Sequence, residues 1–91
     1  TNMEHDGDLD NFQSSFNAVH DDFFKKLDTK YPQLTYKDKM LCAYIKMNLM
    51  SKEIAPLLSI SVRGVEINRY RLRKKLGLDE KANLAEFLQK I

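Results

Sequence analysis

The sequence predicts an all-helical domain, and three observations carry that expectation. Apolar residues recur at three- and four-residue steps in several stretches, and no stretch alternates apolar and polar residues as a half-buried strand would. Residues suited to starting and stopping helices stand at the borders of the periodic runs. At 91 residues the chain has the size of one small domain, able to bury roughly 60–65% of its unfolded surface.

Residues 1–8 are polar and acidic and contain Gly7, which predicts a lead-in without a core of its own. Asp6, Asp8 and Asp10 imitate the opening of a calcium loop. Asn11 stands where such a loop needs glycine and Asn17 where it needs glutamate, so no metal site is expected. From Leu9 to Thr29, Phe12, Phe16, Val19, Phe23 and Leu27 form the stripe of an amphipathic helix, suited to packing on this domain's core or pairing with another helix. Tyr31-Pro32 ends that run, because a residue before proline is pushed out of the helical region.

A second helix opens at Leu34-Thr35, with Thr35 and Asp38 spaced as a capping box. It runs to about Asn48, burying Leu41, Tyr44 and Ile45 with Met40 or Met47. A third, short helix is expected from a Ser51 cap through Leu58, with a tight or irregular turn at Pro56, whose missing N–H interrupts the ladder. The fourth carries Ser61 as cap and Gly77 as stop. Ile60 and Val65 have the spacing of a hydrophobic staple. A polar connection from Asp79 to Ala82 leads to a last helix capped by Asn83 with Glu86, its apolar side being Leu84, Phe87, Leu88 and Ile91.

The third and fourth stretches fit together as a helix-turn-helix. Ile54, Leu58, Ile60 and Val65 fall where two such helices bury apolar groups against each other, and Ala55 where they come closest. Ser59 occupies a position where glycine is common, and Asn68 one where an apolar residue is common. At about 100° per residue, Val65, Leu72 and Leu76 gather on one side of the fourth helix and Arg63, Ile67, Tyr70 and Lys74 on the other. Tyr70 is suited either to that outward face or to a half-buried place.

Charge is divided unevenly. Residues 1–30 carry seven acids against three lysines, whereas the remainder carries twelve basic and six acidic residues. The fourth helix alone holds Arg63, Arg69, Arg71, Arg73, Lys74 and Lys75 against Glu66, a density that calls for an anionic partner, of which double-stranded DNA is the best fit. Geometry assigns Arg63, Glu66, Ile67, Tyr70, Arg71 and Lys74 to the groove. There Glu66 can accept from cytosine N4 and Ile67 can touch a thymine methyl. Ser51 and Lys52 suit phosphate, while Arg69 and Arg73 suit pairing with acids such as Glu53.

Leu34-Thr35, Ser51-Lys52-Glu53-Ile54-Ala55, Ile60-Ser61 with Val65, and Lys75-Leu76-Gly77 resemble the C-terminal DNA-binding domain of the LuxR family of bacterial transcription regulators, also called the GerE or NarL/FixJ type. The resemblance covers residues 34 to about 88. It implies a four-helix, all-α helix-turn-helix domain preceded here by an extra N-terminal helix. Its third helix, about residues 62–76 here, enters the major groove, and dimers often form through the fourth. Ser61 joins the expected DNA contacts on the same ground. Gly64, Glu66 and Asn68 depart from the family's usual threonine, non-acidic residue and histidine. The region from Phe12 through Ala55 and Arg69-Tyr70-Arg71-Leu72-Arg73-Lys74-Lys75 is similar to the output domains of large membrane-anchored sensor-regulators with propeller repeats and a triple-tyrosine domain.

The expected organisation is therefore an acidic lead-in and amphipathic helix over 1–30 and a DNA-binding domain over 31–91. A homodimer through the N-terminal or last helix and sensor domains upstream in the same chain are the expected partners, and a start at Thr1 suggests a piece of something longer. No apolar run is long enough to span a bilayer, so a cytoplasmic location without membrane contact is expected. Cys42, the sole cysteine, predicts a buried reduced thiol. His5 and His20 both lie in the acidic part, and no phosphate loop, metal spacing or nucleophile motif is present, so neither an enzyme nor a cofactor is expected. The competing reading is a protein-interaction module built on a degenerate helix-turn-helix.

Overall fold

In the computed structural model of the chain, which describes residues 22–91, five helices follow one another: α1 (Phe23–Lys30), α2 (Tyr36–Lys46), α3 (Ser51–Leu58), α4 (Val62–Lys75) and α5 (Leu84–Gln89). Among the described residues there is no strand. The fold is all-α, with α3 and α4 as the two arms of a helix-turn-helix and α2 at the centre, packed against each of the other four helices.

Three of the helices stop by the same device. A residue in the left-handed region follows the last turn, and the next two free N–H groups fold back on the final carbonyls as a Schellman motif. At the end of α2 the residue is Asn48 (φ 65°), with Leu49 N–H donating to Tyr44 at 3.1 Å and Asn48 N–H to Ile45 at 2.8 Å. At the end of α3 it is Ser59 (φ 57°), with Ile60 N–H on Ala55 at 3.1 Å and Ser59 N–H on Pro56 at 3.3 Å. At the end of α4 it is Gly77 (φ 73°), with Leu78 N–H on Arg73 at 3.0 Å and Gly77 N–H on Lys74 at 3.1 Å. The glycine-like character of position 59 is thus a backbone requirement, met here by serine.

The starts are set by side chains. Thr35 and Asp38 form the full capping box: Asp38 N–H donates to Thr35 Oγ1 at 3.1 Å and Thr35 N–H to Asp38 Oδ2 at 2.9 Å. Ser61 Oγ accepts from Gly64 N–H at 2.9 Å, and Asn83 Oδ1 from Glu86 N–H at 2.9 Å. Two expectations fail at α3. Ser51 is its first residue and not its cap; Met50 holds the cap position, and the Glu53 carboxylate reaches back to accept Met50 N–H at 2.8 Å. Nor does Pro56 produce an irregular turn, since the helix continues through it to Leu58. The proline removes one ladder bond, to the carbonyl of exposed Lys52, while Ile54 and Ala55 on the opposite side stay buried against the core and hold the helix together.

The core takes in most of the predicted faces and adds Phe24 and Ala43, while Tyr44, expected to be buried, is only half-buried. Phe23, Phe24 and Leu27 of α1 join Met40, Leu41, Cys42, Ala43 and Ile45 of α2, Ile54 and Ala55 of α3, Val65 and Leu72 of α4, and Leu84 and Leu88 of α5. Met40 fills the place left open between two methionines, and Met47 is exposed. Asp28 and Lys39 tie α1 to α2 at 2.7 Å. The expected helix from Leu9 to Thr29 does not run unbroken: Asp22 is left-handed (φ 59°), a conformation its short polar side chain tolerates, and α1 begins after it. The stripe residues Phe12, Phe16 and Val19, together with the aspartates of the calcium-like stretch, lie outside the described residues.

Lys46 was not anticipated as a core residue. It is the buried charged side chain among the described residues, 7% exposed. Its Nζ donates to the Leu88 and Gln89 carbonyls at 3.0 and 3.3 Å, at the negative end of α5, and lies 5.3 Å from the Phe23 ring centroid.

Candidate nucleic-acid interface

α4 separates its residues as helical geometry requires. Val65, Leu72 and Leu76 are buried, while Arg63, Glu66, Ile67, Tyr70 and Lys74 are exposed on the outward side. Tyr70 is 59% exposed, which decides between its two possible places in favour of the outward face. Lys74 Nζ stands 4.7 Å from the Tyr70 ring centroid, so the two side chains one turn apart brace each other.

Each flank of that face opens onto a groove. Positions 62, 66 and 69 lie on one flank and 68, 71 and 75 on the other, because about 100° separates successive residues. On the first flank, Val62, Glu66 and Arg69 meet Asn48, Met50, Ser51 and Lys52 around a groove of about 510 Å³. On the second, Asn68, Arg71 and Lys75 meet Thr35, Lys37 and Asp38 around one of about 220 Å³. Both grooves carry basic side chains, and the exposed face of α4 runs between them.

The predicted site residues are therefore brought together with one exception. Ser51 and Lys52 join Glu66 on the first flank and Arg71 stands on the second, whereas Ser61 lines neither groove and is engaged in capping α4. Lys37 and Arg69 were missed as groove residues. Their places depend on which helices pack side by side, and nothing local in the sequence marks them.

The other basic residues of α4 belong to the fold. Arg73 donates from its two terminal nitrogens to the Ala82 and Asp79 carbonyls, both at 2.6 Å, fastening the connection to α5. Lys75 Nζ lies 2.6 Å from Asp38 Oδ2, and the Lys75 carbonyl accepts from Gln33 Nε2 at 3.1 Å. Arg69 approaches Glu66, at 4.0 Å through Nε. The pairing of Arg69 or Arg73 with Glu53 is not found among the described residues, because Glu53 is turned back onto the start of its own helix. Burial works to raise the Asp38 carboxyl, but the hydrogen bonds from Lys75 and Thr35, with the Lys75 charge, outweigh it and hold the group below its ordinary value. Burial, assisted by the Asp38 charge, pushes the Cys42 thiol up to about 12, which makes it an inert core residue. His5 and His20 lie outside the described residues.

Fold and surface together define a class: an all-α helix-turn-helix domain whose second arm presents a basic, polar face with a groove on either side. Comparison with known proteins gives one particular likeness. Over 61 residues the chain is 35% identical to the tetrathionate response regulatory protein TtrR of Salmonella typhimurium, a match covering 67% of this chain and 30% of that protein. The chain thus spans about 30% of the relative's length. No protein-family model matches it, and no solved structure does. Among the described residues no helix is long and apolar enough to cross a membrane.

Proposed function

We propose that the chain binds double-stranded DNA sequence-specifically as the output domain of a bacterial transcription regulator of the LuxR type, with α4 in the major groove. The observation that carries this reading is the exposed face of α4 flanked on both sides by basic grooves. A duplex seated on α4 has a phosphate strand on each side of its major groove, and each strand then meets cations: Lys52 and Arg69 on one, Lys37 and Arg71 on the other. Glu66, Ile67 and Tyr70 lie between them, where base edges are read. Similarity to a response regulatory protein supports the same reading.

In this reading the domain works in the cytoplasm without membrane contact, receives its signal from sensor domains upstream in the same chain, pairs with a second copy through the N-terminal or last helix, and has neither catalytic activity nor a cofactor. The test is binding to labelled duplex DNA over a salt series, the unaltered chain against an Arg71→Glu, Lys74→Glu double variant. Affinity that falls steeply with salt and collapses in the folded variant is expected. Absence of binding at low salt, with the variant indistinguishable, refutes the DNA reading and favours docking to a protein.

A further inference from the structure

The basic residue of α4 with the least explained position is Arg69. Its side chain is 27% exposed, and its contact with Glu66 runs through Nε alone at 4.0 Å. No hydrogen bond or ion pair of its two terminal guanidinium nitrogens is found among the described residues. Arg69 lines the groove that also holds Ser51 and Lys52. An arginine with its Nη fork uncommitted beside a lysine, at the border of a DNA-facing helix, has the geometry for a bidentate grip on a phosphate.

Resting on the DNA reading above, we propose that Arg69 has two roles: its Nη fork grips a backbone phosphate of the strand beside α3, and its Nε side keeps Glu66 oriented toward the base edges. The second role answers a difficulty in the sequence. A carboxylate in the major groove is repelled by phosphates on both sides, and Glu66 is 60% exposed with no other ion pair among the described residues. A guanidinium one turn away offsets that repulsion locally and restricts the carboxylate to one side of the helix, so that it meets cytosine N4 as an acceptor. Arg69 is thus a positioning residue for recognition as well as a contact.

The two roles separate in experiment. Duplexes selected from a random pool by the unaltered chain serve as probes, and Arg69→Ala, Arg69→Lys and Glu66→Gln are compared on them, with folding checked by circular dichroism. Arg69→Ala should weaken binding to all selected sequences roughly 10-fold and reduce the slope of log affinity against log salt by about 0.9, the signature of one lost phosphate contact. It should also relax discrimination at the same base pair that Glu66→Gln affects, by about 10-fold. Arg69→Lys should keep the slope, since it retains a charge, and lose the discrimination. An Arg69→Ala slope equal to that of the unaltered chain overturns the phosphate grip. Discrimination unchanged in both Arg69 variants while Glu66→Gln alters it overturns the positioning role. If the unaltered chain shows no salt-sensitive binding, the DNA reading itself falls and takes this inference with it, an outcome distinct from the other two.

Discussion

Ser59 and Gly77 occupy equivalent places at the ends of α3 and α4, with φ of 57° and 73°, yet only one is glycine. Exchange at the two positions should therefore act in opposite directions. A Cβ built on Gly77 meets nothing within 4 Å, so the cost of Gly77→Ala is backbone strain with no steric component. That strain is about 1–2 kcal/mol for an L residue in the left-handed region. The smaller conformational freedom of unfolded alanine returns roughly 0.4–1 kcal/mol, leaving a net loss near 1 kcal/mol. Ser59→Gly runs the same account backwards and should gain about 0.5–1 kcal/mol. For a domain of this size each kcal/mol moves Tm by roughly 4–8 °C, so thermal melts followed by circular dichroism should place the two variants on either side of the unaltered chain. A Ser59→Gly variant that melts lower would refute the reasoning, because it would mean that the serine supplies a contact worth more than its strain. The turn at Ser59 also fixes how α4 leaves α3, so on the proposed DNA-binding reading the more stable variant should keep its affinity for a duplex.

Two further perturbations follow from the packing of charged groups. Asp38 is held below its ordinary value, so its contribution to stability is fully present above the unfolded pKa of about 3.9 and is lost as pH falls through the folded one. Asp38→Asn keeps an acceptor for the cap but loses the Lys75 pair. Its Tm should be lower near neutrality, and the gap should close below about pH 4; a gap independent of pH refutes the assignment. Lys46→Ala removes the donor to the Leu88 and Gln89 carbonyls and should cost about 1–3 kcal/mol, read as a lower denaturant midpoint, because the end of α5 loses its cation inside the core. An unchanged midpoint would show that water replaces the ammonium there without cost.

What was legible in the sequence was local. Ser61 and Asn83 accept with their side-chain oxygens from N–H groups of the first turns they were expected to cap, Thr35 and Asp38 close a box, and Gly77 ends α4, because each device lies within five residues of its partner. The buried and exposed faces of α4 were readable for the same reason, since 3.6-residue periodicity is set by a single helix. The misses are of another kind. Pro56 stays helical because packing of Ile54 and Ala55 outweighs one lost bond, and tertiary packing has no trace in a propensity. Nothing local in the sequence marks Lys46 as buried; its partner carbonyl on α5 lies 42 residues further on. Lys37 and Arg71 share a groove although they are far apart in the chain, so that part of the site could be assembled only from the fold.

On the proposed DNA-binding reading, this division bears on how strongly the domain would hold a duplex. Six basic residues on α4 suggest six phosphate contacts, but Arg73 is committed to the Ala82 and Asp79 carbonyls and Lys75 to Asp38. Four remain on the helix, Arg63, Arg69, Arg71 and Lys74, and the neighbouring helices add Lys37 and Lys52. The charge that defines the helix in the sequence is thus partly spent inside the fold, and part of what would face a duplex comes from elsewhere in the chain. With each neutralised phosphate contributing about 0.9 to the slope of log affinity against log salt, six such contacts would give one bound chain a slope no steeper than about −5.4. Arg73→Gln and Lys75→Gln should lower stability and leave that slope alone, whereas Lys52→Ala and Lys37→Ala should each lower it by about one contact. A slope that drops in the Arg73 variant would mean that this arginine leaves its two carbonyls for the phosphate backbone, and the partition between folding and binding charges would have to be redrawn.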